Sequence, residues 1–376
     1  MPHTLLQQHF GFSVFREGQK EVIDQILAGY SALAIFPTGS GKSLCYQLPA
    51  LVLPNLTLVI SPLLALMQDQ LAFLHSKDIP AASIDSTQSN DEAREVMRQV
   101  RDGEIKVLMI SIERLKNERF RRFIGQVAIS LLVVDEAHCI SEWGHNFRPD
   151  YLKLPRYRKQ LNIPQVLLLT ATATPQVISD MAAKFNIAPE HITATGFYRP
   201  NLDISVEAVA PERRQARLLD YLRGRRNQPA IIYVTQQQTA EEVAKRLGQA
   251  GHNASAYHAG LDHGRRPRIQ KDFSAGQLNT IVATIAFGMG IDKSDIRQVI
   301  HYDLPKSVEN YSQEIGRAGR DGAPSECLVM ANLANRCVLE NFVYGDTPER
   351  VGLEIVLNDM AQAGPQWELT GNALSN

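Results

Sequence analysis

The sequence predicts an α/β protein of two tandem lobes, each a mostly parallel sheet flanked by helices, with a short helical tail. Three observations lead there. Short runs recur that are apolar throughout rather than alternating, the pattern of parallel strands covered on both faces. Segments of helical periodicity separate them, as in 240–247, where Ala240, Val243, Ala244 and Leu247 share one face. The rhythm then occurs a second time after a Gly- and Pro-containing break.

In chain order, the first set of strands is expected at 32–36, 56–60, 107–110, 131–134 and 166–169. The second is expected at 230–234, 280–283, 298–301 and 325–330. The seam falls near 196–201, after Ala188-Pro189, which gives lobes at 1–200 and 201–345 and a tail at 346–376. In the tail, Thr347 can cap a helix that carries Pro348 and Glu349 in its first turn. Leu353, Val356, Leu357 and Met360 would share its inner face, and Gly364-Pro365 would stop it before a strand-like stretch at 367–370. So short a piece cannot bury a core of its own. It reads as docked on the second lobe or as the start of a further domain.

One stretch, 43–68, has no charged residue and is long enough to span a bilayer. Pro49, Pro54 and Pro62, with Asn55, Thr57 and Ser61 among them, favour helix, buried strand and helix instead. The N-terminus has no basic region followed by an apolar core, so the reading is an intracellular, cytoplasmic protein with no membrane segment. The 376 residues are 44% hydrophobic and 21% charged, which excludes a disordered or fibrous chain. Cysteines 45, 139, 327 and 337 include no C-x-x-C pair, so neither a disulfide framework nor a structural zinc is expected.

The chemistry concentrates in two places. Thr38-Gly39-Ser40-Gly41-Lys42-Ser43 follows a predicted strand and opens a helix. The strict P-loop pattern fails only at its first position, Phe36. Gly39 and Gly41 let backbone N–H groups face phosphate oxygens at a helix N-terminus, Lys42 would hold the β- and γ-phosphates, and Ser43 would sit on Mg²⁺. A glycine-rich turn could look the same, but a second motif argues against that. The apolar run 131–134 ends in Asp135 and Glu136, two acids at the C-terminal end of a parallel strand, the edge where a P-loop also lies. Asp135 can hold Mg²⁺ and Glu136 can polarise an attacking water.

Taken together, 38–43 and Asp135-Glu136-Ala137-His138 resemble superfamily-two helicases. The aromatic-rich continuation 139–151, with Trp143, Phe147 and Arg148, resembles the loop that marks RecQ-type DNA helicases. The resemblance runs from about Phe10 to Gly345. It implies two RecA-like lobes, ATP and Mg²⁺ as cofactors, and ATP-driven 3′→5′ movement on single-stranded DNA with duplex unwinding, in DNA repair and recombination. The implied partners are single-stranded and tailed duplex DNA, engaged by a monomer.

Residue by residue, the resemblance implies that Gln19 reads the adenine edge while Phe12 and Arg16 sandwich the ring, whereas Phe15 reads as core. Ser61-Pro62-Leu63 with Gln68-Asp69-Gln70 would contact the DNA backbone, and Thr170 and Thr172 would couple hydrolysis to strand movement together with His138. The motif 311–322 would supply Gln313 and the arginine fingers Arg317 and Arg320, the two arginines sharing a face if helical. Ile112 stands where the family usually places proline, and no four-cysteine zinc module follows the second lobe. Strand separation in the family leans on that later region, so translocation is expected ahead of unwinding. An RNA-directed remodelling ATPase shares the two-lobe core and is the competing reading. A catalytically dead DNA-binding module is disfavoured by the full set Lys42, Asp135, Glu136, Arg317 and Arg320.

The formal net charge is −1, from 39 Lys and Arg against 40 Asp and Glu. The tail from Asp346 contributes −4, leaving 1–345 at +3, with basic clusters at 156–159, 213–214 and 265–268. The aromatic loop begins beside the acids, and a base stacked on Trp143 is worth about 1–3 kcal/mol, enough to bias a two-state loop. Trp143→Ala is therefore expected to leave nucleotide binding nearly intact and to weaken stimulation of ATP hydrolysis by single-stranded DNA. Undiminished stimulation in that variant would refute the coupling.

Overall fold

A computed structural model of the chain describes residues 2–333 apart from 63, 86, 142–147, 197, 263, 285–286 and 288–292, and beyond them only 336, 339, 340, 354, 357, 358, 360 and 361. Residues 1–331 form one compact unit, which contains both lobes, and 332–376 form another. In the tail, the described positions 354, 357, 358, 360 and 361 are helical, with Leu357 and Met360 exposed. The rest of the expected tail helix, and the strand-like 367–370, lie outside the described residues.

Seven parallel strands make the first sheet: β1 (Ala32–Ile35), β2 (Leu56–Ile60), β3 (Ala81–Ile84), β4 (Val107–Ile110), β5 (Ile129–Val134), β6 (Gln165–Thr170) and β7 (Ile192–Ala194). Their spatial order is β3-β4-β2-β5-β6-β1-β7. Six more make the second: β8 (Leu202–Ala208), β9 (Ala230–Tyr233), β10 (Ala254–Tyr257), β11 (Thr280–Ala283), β12 (Gln298–His301) and β13 (Ser325–Ala331), in the order β10-β11-β9-β12-β13-β8, also parallel throughout.

The apolar runs are explained by what lies above and below each sheet. In the first lobe Leu33, Ile35, Leu58, Ile60, Leu132 and Val134 enter one core while Ala32, Ala34, Val59, Leu131 and Val133 enter another across the sheet. The second lobe repeats the scheme, with Ile232, Val282 and Ile300 on one face and Ile231, Ile281 and Val299 on the other. Side chains alternate between faces along a strand, so two covered faces demand an unbroken apolar run.

The charge-free stretch 43–68 forms the helix Leu44–Val52, then β2, then the start of the helix Leu64–Ser76. Pro49 does not end the first of these. It sits inside it, and the helix closes at Val52 with Leu53 N donating to Pro49 O at 2.8 Å. Among the described residues no helix is long and apolar enough to cross a membrane.

The basic cluster 156–159 has a structural member. Arg158 donates to the carbonyls of Phe185 (3.0 Å) and Pro164 (2.6 Å) and to Ser31 Oγ (3.2 Å), tying the helix Leu154–Gln160 to the residues just before β1 and β6 and to the end of the helix Pro175–Phe185. Arg158→Met keeps the stem and removes the fork. It is expected to cost on the order of 2 kcal/mol of stability, by denaturant unfolding, through the carbonyls left unpaired. Affinity for single-stranded DNA should be unchanged, and a loss of affinity without a loss of stability would reverse this assignment.

Candidate active site

Three of the central strands of the first sheet end side by side. β6 lies between β5 and β1, and Phe36 N donates to Thr170 O at 3.1 Å just past β1, while Asp135 N donates to Ile60 O at 2.9 Å just past β5. The P-loop, Thr170 and the two acids are thus adjacent at the C-terminal edge of one sheet, the edge where open α/β sheets bind ligands.

A cavity of about 450 Å³ opens over this edge. Its lining includes Phe12, Arg16, Gln19, Thr38, Gly39, Gly41, Lys42, Ser43, Asp135 and Glu136 from the first lobe, with Gln313, Arg317 and Arg320 from the second. Of the residues singled out for catalysis and nucleotide binding, Ser40 alone is not on the wall. It turns back, its Oγ donating to Pro37 O at 2.7 Å. The helix Val308–Ile315 ends before Arg317, so the two arginines project from consecutive turns rather than from one helical face. The lobes approach closely here. A Cβ added to Gly316 would stand 2.9 Å from Thr38 Cβ, so only glycine fits between the finger segment and the P-loop.

The P-loop is held shut from within. Lys42 Nζ donates to Phe36 O at 3.1 Å and Pro37 O at 3.4 Å. Gln19, which is buried, donates from Nε2 to Ser40 O and Gly41 O, both at 3.0 Å, and accepts from Arg16 N at 2.9 Å. The Arg16 guanidinium donates to Gly39 O. The amide assigned by sequence to a base edge therefore grips the phosphate loop in this structure. Phe12 is about half exposed, whereas Phe15 packs against the core beneath the N-terminal segment.

Burial dominates the electrostatics. It pushes the Asp135 carboxyl up to about 7, aided by the neighbouring Glu136 and opposed by Lys42. Glu136 is likewise raised by burial, against the pull of Lys42 and Arg317, and Lys42 is lowered by burial against the pull of the two acids. Glu136 Oε2 and Arg317 Nε are buried without a hydrogen-bond partner. An acid held above its usual range by burial and like charge, beside unsatisfied donors and acceptors, suits a site that receives a cation together with an anionic ligand. Ser43 and Asp135 both face the cavity. Among the described residues no group of three or more His, Cys, Asp or Glu side chains forms a separate metal cage, and Cys337 lies outside those residues.

His138 links the acids to β6. Its Nδ1 lies 2.9 Å from Thr170 Oγ1 and 3.4 Å from Glu136 Oε2. Thr170 spends its one hydroxyl proton on Thr172 O at 3.0 Å, so His138 Nδ1 carries the proton in this contact. Arg148 N donates to Cys139 O, which places Arg148 beside this turn, while Trp143 and Phe147 lie outside the described residues. Gln70 accepts from Gln47 Nε2 at 2.8 Å and from the Tyr46 hydroxyl at 3.3 Å, so it faces the helix behind the P-loop. Ile112, at the position of the missing proline, opens a 3-10 turn, Ile112–Lys116, and is buried.

Comparison with known proteins agrees with this layout. The DEAD/DEAH box helicase family matches residues 16–181, and the helicase conserved C-terminal domain matches residues 213–322. The ATP-dependent DNA helicase RecQ of Pasteurella multocida (strain Pm70) is 40% identical over 349 residues, 92% of this chain and 55% of that protein. RecQ of Bacillus subtilis (strain 168) is 42% identical over 329 residues, 87% of this chain and 55% of that protein. The chain thus spans about half the length of these relatives. Among solved structures, Saccharomyces cerevisiae Dbp5 bound to RNA and ADP BeF3 shares the fold with a TM-score of 0.68 at 18% identity, covering 91% of this chain and 90% of that one.

Burial lowers the His138 pKa from 6.5 to about 4, with Lys42 and Arg148 adding to the effect. The unfolded chain takes up this proton near pH 6.5 and the folded chain only near 4, so His138 makes stability fall as pH drops through that window. At about 1.4 kcal/mol per unit the loss is on the order of 3 kcal/mol. Denaturant titrations at pH 7 and pH 4.5 should show His138→Gln losing much less stability than the parent, and parallel losses would contradict the assignment.

Proposed function

Because the chain belongs to the RecQ-type helicases, we propose that it carries an ATP-dependent DNA helicase or translocase core that moves 3′→5′ on single-stranded DNA. The observation that carries the reading is the single cavity lined by Lys42, Ser43, Asp135 and Glu136 from one lobe and Gln313, Arg317 and Arg320 from the other. On this reading the lobes divide near residue 200, and Lys42 leaves the Phe36 and Pro37 carbonyls to meet the β- and γ-phosphates. Gln19 exchanges the Ser40 and Gly41 carbonyls for the adenine edge, with Phe12 and Arg16 on the ring faces. Glu136 orients the attacking water, and Arg317 and Arg320 offset charge on the transferring phosphoryl group. Mg²⁺, held by Ser43 and Asp135, would neutralise phosphate charge when bound.

Movement follows from the same division. Hydrolysis removes the charge that draws the lobes together, so each grip on DNA shifts relative to the other once per cycle. The His138–Thr170–Thr172 contacts offer a route from the acids to the strand ends that face the nucleic acid. The DNA preference is supported by the names of the relatives near 40% identity, against a fold-level likeness at 18% to an RNA-bound protein. We further propose that the chain works as a monomer inside the cell, on single-stranded and tailed duplex DNA, in repair and recombination.

ATP hydrolysis measured with single-stranded DNA, with RNA of the same sequence and with neither tests the reading. Stimulation by DNA well above that by RNA is expected, and the reverse order would favour the RNA-directed alternative. Glu136→Gln should retain nucleotide affinity and lose about 10²–10⁴-fold in kcat. A near-normal kcat would reject the water-orienting role.

A further inference from the structure

The lobes are joined by a contact that a residue outside the nucleotide motifs makes to both of them. Arg199 stands between β7, the last strand of the first sheet, and β8, the first of the second. Its guanidinium reaches both ways. Nη1 donates to Thr38 O of the P-loop at 3.2 Å, and Nη2 donates to Ala318 O at 3.1 Å and Gly319 O at 2.7 Å. Ala318 and Gly319 are the two residues between Arg317 and Arg320. Nε donates to Asn201 Oδ1 at 3.3 Å, and Asn201 Nδ2 in turn donates to Gly319 O at 2.9 Å and Ala323 O at 3.0 Å.

The finger loop is shaped around this contact. Gly319 adopts φ +54°, and a Cβ there would lie 2.4 Å from Asn201 Nδ2. A planar fork of five donors can serve three carbonyls on two lobes at once, whereas a lysine ammonium is a point donor that cannot span them. Nothing in this set touches the cavity chemistry directly: Arg199 and Asn201 do not line it, and every acceptor of Arg199 on the P-loop and finger loop is backbone.

We propose that Arg199, buttressed by Asn201, is a positioning residue that sets the finger loop against the P-loop and so fixes where Arg317 stands over the transferring phosphoryl group. The inference rests on the reading of the cavity as an ATPase site. It differs from a plain linker anchor in one respect: Arg199 acts through Arg317. Removing it therefore costs turnover rather than nucleotide affinity, and costs little more once Arg317 is gone.

The test uses the full chain, with Arg199→Ala, Arg199→Lys, Arg317→Ala and the Arg199→Ala/Arg317→Ala double variant. Measured on each are kcat and KM for ATP at saturating single-stranded DNA, the Kd of a fluorescent ADP analogue, and hydrogen exchange of the peptide covering 318–322. Misplacing a catalytic group by about 1 Å costs about 10²-fold, so Arg199→Ala should lose kcat on that scale while KM and the ADP Kd stay within about threefold. Arg199→Lys, which keeps charge and stem, should recover only a small part of the loss, and it carries the test if the alanine variant does not fold. The double variant should match Arg317→Ala within about threefold, and exchange over 318–322 should quicken in both Arg199 variants. A kcat near the parent value, a loss that appears in KM and Kd instead, or losses that multiply in the double variant would each overturn the proposal. A parent chain with no DNA-stimulated hydrolysis would overturn the ATPase reading and the coupling with it, whereas an active parent with unaffected Arg199 variants would overturn the coupling alone.

Discussion

The interior strands of a parallel sheet buried on both faces expose polar backbone only at their ends, and this molecule's chemistry depends on one such row of strand ends. β5, β6 and β1 end next to each other, and the hydrogen bond from Phe36 N to Thr170 O carries the ladder one step past β1 before the chain turns into the P-loop. With β6 between them, the acids after β5 and the glycines after β1 are held a strand apart on either side of Thr170. Neither motif could be moved by one residue without turning its side chains to the opposite face of the sheet. The spacing of Lys42 from Asp135 and Glu136 is thus a consequence of strand order, which no local stretch of sequence contains.

The same edge holds a strained set of charges. Burial raises both acids and lowers Lys42, and each partly relieves the others. Such a cluster is poorly satisfied by itself: Glu136 Oε2 is buried without a hydrogen bond, with His138 Nδ1 3.4 Å away. On the proposed function, a ligand bringing phosphate and a divalent cation would supply the missing opposite charge to both halves. With the arginines on the second lobe, that relief would depend on closure, which is how a two-lobe motor would couple its ligand to movement.

The sequence carries the central architecture because central strands are constrained on both faces. All nine strands expected from apolar runs are interior strands of the two sheets. The four without such runs, β3, β7, β8 and β10, are the four sheet edges. Ala-Ala-Ser-Ile in β3 and Ile-Thr-Ala in β7 are short and partly polar, and β8 leaves Ile204 and Val206 exposed, so the two-face rule has no purchase on them. The P-loop, the acids and the finger motif were equally visible, since phosphate chemistry restricts residue type and spacing. Arg199 was not. Its acceptors are main-chain carbonyls of Thr38, Ala318 and Gly319, and a backbone acceptor leaves no trace in residue identity. The one readable hint was a pair of polar residues, Arg199 and Asn201, flanking a proline at the seam between the lobes.

Counting basic residues misleads for a related reason. Arg214 pairs with buried Asp303 at 2.6 Å and stacks on Tyr302, Arg217 pairs with Glu207 at 2.7 Å, and Arg225 pairs with Glu326 and covers Tyr221. With Arg158 and Arg199 turned to carbonyls, five arginines of the folded lobes are committed to holding those lobes together. The three acid-paired arginines already cancel in the net sum, so it is Arg158 and Arg199, turned to neutral carbonyls, that make the +3 balance of 1–345 overstate the charge available to a phosphate backbone. On the proposed function this is an advantage, because each phosphate neutralised by a lysine or arginine steepens affinity and slows release. A motor that must let go of its track every cycle gains from a grip set by loops whose position follows the nucleotide, and a permanently basic surface would work against it.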